Sequence, residues 1–453
     1  MKELKQPYNL TGLDGLVRET TNFERIAKAV FNIITEKVYG STSTPGLSIY
    51  AYGSPGRIEM VGGDSDADIF ILESKETKKG TEFRKQFAET MERFDYSKLD
   101  LPEWGKLAET EIYLEKSLIE GNQILETRFL CGDAKLNMRL EKLKSKYNSP
   151  ERAIKNIIFN RLYLDEYFSK KVRAGALNVK YCKGGSRELL FISWYDGLLR
   201  LINAEEGELS KEPRFLIGLK KALERNAITE IQYRNAIRAI NFLSILRTDI
   251  LSVNKSTKDR GLTYLDEDTI KRLEDVGYSS SEIKYSFEQN RRKIRGVINK
   301  IYQNVIQIGG DLKGPKWKKE LSLAQNNIFD AARQQIESTD PTIAISLLWS
   351  ASTFNKKEFF QELSERYKNT EEWCIIGSIV NSSFCNPEIL QHFGEGKAKE
   401  KGYGYLLRVI ARNPNTPKRT LKSIVEDPNL EERYKAIAEA ALLGGIERTQ
   451  NQI

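Results

Sequence analysis

Hydrophobic and polar positions change their period several times along the chain, and the changes mark its elements. Phe23, Ile26, Ala27, Val30, Phe31 and Ile34 recur at helical spacing, which predicts a helix over 22–38. Pro45-Gly46 breaks that pattern, and Leu47 to Tyr52 is a β-rich run ending at Gly53-Ser54. A second strand is predicted from Asp66 to Leu72, a helix over 80–94, and a third strand from Gln123 to Phe129. Helix, strand, strand, helix, strand suggests an α/β unit around a small mixed sheet. From about 150 to 310 the pattern turns helical, with long amphipathic stretches from Asn235 to Leu246 and from Ser279 to Ile306. Asp311-Leu312-Lys313-Gly314-Pro315 is expected to be a linker.

The last third repeats itself. The stretch Ala351 to Phe359 lines up with Ser382 to Leu390 and with Asn413 to Leu421, an offset of 31 residues each time. An apolar helix precedes each copy, and a further step reaches Gly444 behind the apolar run Tyr434 to Leu443, as a terminal half-repeat would. Pairs of short helices at a fixed period stack into a solenoid, each unit burying its apolar face on the next. The third copy, with its Asn-Pro-Asn-Thr-Pro turn, resembles the variant leucine-rich helical repeats.

Composition removes several chemistries. The chain has 453 residues, too many for one ordinary core, and its apolar and charged fractions are those of a globular protein. The residues after Met1 lead into no apolar signal segment, and no apolar run approaches the ~20 residues that span a bilayer, so a cytoplasmic protein without a membrane partner is expected. His392 is the only histidine, and Cys131, Cys182, Cys374 and Cys385 lie far apart. Zinc sites and Ser–His or Cys–His catalysis therefore find no ligands or bases here. Metal chemistry must use oxygen donors, which means magnesium or manganese. The net charge of +8 is concentrated in residues 151–312, which suits either nucleic acid or a wall that binds a polyphosphate.

The chemistry-bearing pattern is Gly53-Ser54-Pro55-Gly56-Arg57-Ile58-Glu59, a turn, then Ser65-Asp66-Ala67-Asp68. Alternation along a strand puts Asp66 and Asp68 on one face, where two carboxylates repel unless a cation sits between them. A divalent ion that also holds nucleotide phosphates needs this pair. Gly53 and Ser54 leave the preceding strand where backbone N–H groups and a hydroxyl can hold phosphates. A polar hairpin whose aspartates simply face water is the alternative.

This pattern is similar to the nucleotidyltransferase domain of the uridylyltransferases that modify the PII signalling protein, within the DNA polymerase β superfamily. The likeness continues in Ile124 to Asp133, which resembles the family's acidic-x-Arg strand followed by Gly-Asp. It continues again in Asn178 to Glu188, which resembles the N-x-K…GG-x-R-D/E segment, and in Asp259-Arg260-Gly261-Leu262 with Val276-Gly277-Tyr278. Two departures stand out: a longer turn through Gly62-Gly63, and Glu126 where the family often has Asp. A phosphohydrolase domain of the HD type is impossible with one histidine, so a demodifying activity is not implied.

The resemblance implies an α+β nucleotidyltransferase domain over 1–150, with a small mixed sheet and flanking helices. An all-α domain over 151–312 would complete the nucleotide cleft, and an α-helical, solenoid-like repeat domain would occupy 313–453. It implies that Asp66, Asp68 and Glu126 hold Mg2+ or Mn2+, with Glu126 taking the proton of the attacking hydroxyl. An ion pair with Arg128 is the other role open to Glu126. Gly53, Ser54, Arg57, Lys180, Lys183 and Arg187 would bind the nucleoside triphosphate, although Arg57 also suits a brace to Glu59, and the three later cations suit a solvated helix start. The expected activity is transfer of UMP or AMP to a hydroxyl of a protein acceptor held by the repeats. An RNA or small-molecule acceptor, or a scaffold without turnover, are the other readings of the same residues.

Overall fold

The computed structural model describes residues 12–41, 46–60, 66–75, 77–94, 98–100, 105–116, 119–170, 177–205, 212–255, 263–325, 332, 340–396, 404–428, 430 and 432–443. Helices predominate around a four-stranded and a two-stranded sheet, so the fold is mixed. The chain forms two compact units: residues up to Leu114, Glu120–Ile157 and Lys171–Val305 make the first, and Glu115–Ile119, Ile158–Lys170 and the chain from Ile306 make the second. No described helix is long and apolar enough to cross a membrane.

The first unit is organised by four strands in the order β3-β2-β1-β4. They are β1 Leu47–Ala51, β2 Asp66–Glu73, β3 Lys98–Asp100 and β4 Arg128–Gly132. β1 pairs antiparallel with β2 and β4, while β3 joins β2 in parallel. Every residue of β1 is buried because both faces of the strand are covered. Ile49 and Ala51, with Ile69 and Ile71 of β2, pack on Phe23 and Phe31 of α1 (Gly12–Tyr39) and on Phe83 and Phe87 of α2 (Lys78–Glu92). Tyr50 and Tyr52, with Phe70 and Leu72, turn the other way. They meet α3 (Leu107–Lys116), α4 (Ile119–Leu125) and α5 (Ala134–Tyr147) through Tyr113, Leu114, Ile124, Leu136 and Leu140. This is period-2 alternation, and a slip of one residue would exchange the two cores.

Two sequence expectations fail here for local reasons. Gln123 to Leu125 belong to α4, and the third predicted strand begins only at Arg128. A short apolar run such as Ile124-Leu125 fits either period, and the helix wins because Ile124 reaches the core from it, with Thr127 Oγ1 closing its end on the Ile124 carbonyl (2.8 Å). The expected linker at 311–315 shrinks to one residue. α11 (Ser280–Lys313) runs through most of it, Gly314 turns the backbone left-handed at φ 90°, and Pro315 opens α12 (Pro315–Gln325).

The rest of the first unit is helical apart from a two-stranded antiparallel ladder of Leu177–Asn178 with Tyr264–Leu265, so the region expected to be all-α carries a small sheet of its own. It contains α6 (Pro150–Lys170, up to Ile157), α7 (Leu190–Ile202), α8 (Arg214–Glu224), α9 (Glu230–Asn254), α10 (Glu267–Asp275) and α11 up to Val305. A capping box of Thr229 and Gln232 starts α9, satisfying N–H groups that a helix end leaves unpaired. The expected likeness at Asp259-Arg260-Gly261-Leu262 lies outside the described residues.

In the second unit the repeat becomes helix pairs: α13 (Pro341–Thr353) with α14 (Lys357–Tyr367), α15 (Trp373–Val380) with α16 (Pro387–Glu395), and α17 (Gly404–Arg412) with α18 (Lys418–Val425). A single helix, α19 (Glu432–Leu442), follows, and Gly444 lies outside the described residues. Polar ties repeat along the stack. Trp349 Nε1 donates to Ser378 Oγ at 2.9 Å, and Asn413 Nδ2 donates to the carbonyls of Val380 and Ser382 at 2.7 and 3.0 Å. The second helices keep a step of 30 between α14 and α16, not 31, as the buried pairs Phe359–Phe360 and Ile389–Leu390 show. All four cysteines are free thiols.

Candidate functional site

β1 runs out into a single helical turn, Gly53–Gly56, and the site begins there. Gly53 is left-handed at φ 57°, and a Cβ on it would come within 2.0 Å of Asp68 Oδ2. Only glycine permits this approach of backbone to carboxylate. The ladder continues past the strand end, since Tyr52 N donates to the Asp68 carbonyl at 3.1 Å. Asp68 is half-buried, and Asp66 lies two positions before it on β2; the side chain of Asp66 is outside the described ones. In the parallel ladder Asp66 stands opposite Lys98 and Asp68 opposite Asp100. Asp100 is thus a third acidic residue at this end of the sheet, and its side chain too lies outside the described ones.

Beyond the turn, Arg57 is buried to 4 % exposure among carboxylates. Its Nε donates to Glu59 Oε2 at 2.9 Å and its Nη1 to Glu126 Oε2 at 2.7 Å. Burial works against the guanidinium charge, but Glu59 and Glu126 overcome it and raise the Arg57 pKa above its ordinary value. Glu59 is held from its other side by Ser193 Oγ of α7, at 2.7 Å. Arg128 Nη2 donates to the Pro55 carbonyl at 2.9 Å, and Arg214 N to the Arg57 carbonyl at 3.2 Å. Arg128 also pairs with Glu24 of α1. Three separate parts of the chain, at 126–128, 193 and 214, therefore grip one seven-residue turn. They hold Ile58 at φ 62°, a conformation a β-branched residue adopts only under constraint.

Arg57 and Glu126 thus meet as an ion pair, with Glu126 Oε1 buried and without a hydrogen-bond partner among the described residues. Glu126 follows the end of α4 and is not a strand residue; its carboxylate is committed to the brace. Close by, Lys144 of α5 donates to the Thr127 carbonyl at 3.0 Å, and burial lowers its pKa against the pull of Glu141.

Lys180, Lys183 and Arg187 gather in a different turn. Buried Asn178 organises it, its Oδ1 accepting from Lys180 N (2.9 Å), Tyr181 N (2.8 Å) and Thr263 Oγ1 (3.0 Å). Gly184 N donates to Glu188 Oε2 at 2.8 Å, and Glu188 pairs with Arg295 of α11. Lys180 stacks its ammonium over Tyr181, Lys183 is exposed and Arg187 half-buried. The segment leads into α7, so Ser193 connects it to Glu59.

Sequence reasoning missed Asp100, Ser193 and Arg214. A three-residue strand shows no alternation, and the other two reach the loop from more than 130 residues away, with no local signal. Among the described side chains no group of three Asp, Glu, His or Cys residues is placed to hold a metal ion. No protein-family model matches the chain, and neither does any curated protein.

Proposed function

We propose that the chain is a metal-dependent nucleotidyltransferase that moves UMP or AMP from a nucleoside triphosphate to a hydroxyl of a protein acceptor. The observation that carries this reading is the contact between left-handed Gly53 and the carboxylate of Asp68, at a sheet end where Asp66 precedes and Asp100 stands opposite. A backbone pressed against a carboxylate, next to further acidic residues, is a place where anionic phosphate and carboxylate oxygens can share a divalent ion. The donor set is oxygen-only and suits magnesium or manganese.

Asp66 and Asp68 would hold that ion, and Asp100 takes the place of third carboxylate, because Glu126 is spent on Arg57. When bound, the ion would neutralise the triphosphate and make its α-phosphorus a better electrophile. The N–H groups of Gly53 and Ser54 with the Ser54 hydroxyl receive the terminal phosphates. The acceptor oxygen attacks the α-phosphorus in line, its proton passes to the third carboxylate, and the bond to the bridging oxygen breaks to release pyrophosphate. Arg57, Glu59 and Glu126 hold the turn and touch no substrate in this scheme. Lys180, Lys183 and Arg187 supply positive charge for the triphosphate, and the repeats hold the acceptor.

The test is pyrophosphate release from each of the four ribonucleoside triphosphates with magnesium, using the wild type and Asp66→Asn/Asp68→Asn. Release by the wild type and its loss in a variant with unchanged circular dichroism is the expected result. Equal release by both sinks the reading. Labelling of host lysate with each α-labelled triphosphate then identifies nucleotide and acceptor.

A further inference from the structure

The second helices of the three repeat pairs can be compared position by position. Their buried pairs Phe359–Phe360, Ile389–Leu390 and Thr420–Leu421 set the register. In that register Glu358 and Glu388 correspond to Arg419, and Gln361 and Gln391 correspond to Lys422. The outer side of the helix is acidic or neutral at these positions in α14 and α16, and cationic in α18 alone. Lys418 adds a third charge at a position that Lys357 also fills in α14, and all three cations of α18 are exposed.

Their surroundings neutralise them only in part. Lys418 and Lys422 make no side-chain hydrogen bond or ion pair among the described residues, and as an i,i+4 pair of like charges they cost helix stability. Arg419 Nε pairs with Glu395 Oε1 at 3.7 Å. From Gly404 to Val425 the chain carries five cations, Arg408 and Arg412 being the other two, and no acidic residue. Burial, and then the neighbouring Arg408, lower the Arg412 pKa. The three cations of α18 line an open hollow of about 730 Å³ whose other end is formed by Glu426 and Asp427.

We propose that this hollow docks an acidic, extended segment of a protein partner. Charge complementarity selects the occupant. Carboxylates along the segment meet Lys418, Arg419 and Lys422, and a basic or amide-bearing residue beyond them meets Glu426 and Asp427. A nucleic-acid strand fits less well, because its evenly spaced phosphates would run onto those two carboxylates. Three cations also release too few counterions to hold a polyanion by charge alone. The proposal rests on the reading of the repeats as the acceptor-binding part and gives that acceptor its chemistry.

Direct binding to the full chain tests it without any catalytic step. The probe is a fluorescein-labelled peptide of about twelve residues, four glutamates followed by an alanine- and lysine-containing half, read by anisotropy at low salt. Oligouridylate of equal length is the comparison. Saturable peptide binding should weaken about tenfold or more in Lys418→Glu/Arg419→Glu/Lys422→Glu. It should be unchanged in Lys316→Glu/Lys319→Glu/Lys357→Glu, a control reversal of exposed lysines in the same unit. No peptide binding, or equal affinity in wild type and the α18 variant, removes the site. Tighter binding of oligouridylate, lost in the same variant, overturns the choice of a protein partner. A chain that binds the peptide yet releases no pyrophosphate keeps the docking site and loses the enzymatic reading; the opposite pattern does the reverse.

Discussion

The turn at Gly53–Glu59 and the turn at Asn413–Thr416 both carry backbone out of regular structure, and they are secured by opposite means. In the first, Arg57 is buried between Glu59 and Glu126, and half-buried Arg128 on β4 and the neutral Ser193 hydroxyl on α7 complete the hold. In the second, the amides of Asn413 and Asn415 donate to four carbonyls of the preceding copy, those of Val380, Ser382, Ser383 and Cys385. The neutral scheme is cheap, because each amide group exchanges water for a carbonyl, and it can be copied at every step of a stack. The charged scheme is costly, because Arg57, Glu59 and Glu126 all lose their hydration. It also holds Ile58 in a strained conformation. A fold that needed only a stable turn could use the neutral scheme in both places. The Gly53 turn is thus fixed by elements distant in sequence, and the repeat turn by its neighbour in the stack.

That contrast is most easily broken at Arg57. Arg57→Met should destabilise the first unit by about 3–5 kcal/mol in urea unfolding, because two buried carboxylates lose their cation. A loss below about 1 kcal/mol would show that water reaches the network and that the two turns are alike after all. Gly53→Ala comes next, with an expected cost of about 2–4 kcal/mol from its left-handed backbone and the encounter with Asp68. In the Asp68→Ala background most of the steric part should disappear, only the Cβ of residue 68 remaining at 3.2 Å, and about 1–2 kcal/mol should be left, so the double-mutant cycle reads the carboxylate contact. Full additivity would mean that backbone and carboxylate do not meet in solution. Asn413→Ala should cost about 1–3 kcal/mol by removing the amide donor to the Val380 and Ser382 carbonyls, of which Ser382 keeps Cys385 N, and the acceptor of Asn415 N, without changing pyrophosphate release. The smallest effect concerns Lys144, beside the charged turn. Its folded pKa lies below the ordinary ~10.4, so between the two values the unfolded chain binds the proton and the folded chain does not. Stability should therefore gain with rising pH in that window, relative to Lys144→Met, whose stability lacks this contribution. A constant difference between the two proteins would place the lysine in water.

The same contrast explains what could be read from the chain in advance. Strands β1 and β2 were legible because Ile49, Ala51, Ile69 and Ile71 alternate with Tyr50, Tyr52, Phe70 and Leu72 between two cores. The helix pairs were legible because their turns recur, although the step of 30 between α14 and α16 was hidden by few shared residues. Arg57 and Glu59 are neighbours, so a brace between them is foreseeable; for Glu126, 69 residues from Arg57, the sequence leaves open a metal ligand or an ion pair with Arg128, and the structure pairs its Oε2 with Arg57. Its place in the brace depends on α4 ending just before it, and the apolar run there fits both periods. Asp100 escaped for another reason. The register of β3 beside β2 arises only when the sheet assembles.

One property of the core also decides how the chain can be handled in the tube. Burial pushes the thiols of Cys131 and Cys182 up to about 12 and that of Cys385 higher still, and Cys374 is buried. The raised pKa values slow attack by maleimides and mild oxidants at Cys131 and Cys182, which stay partly accessible, while Cys374 and Cys385 are buried. A cysteine introduced at Met138 of α5, 63 % exposed, becomes the fast-reacting handle for a dye or a spin label. Reactivity appearing at the native positions then reports unfolding, without any added probe.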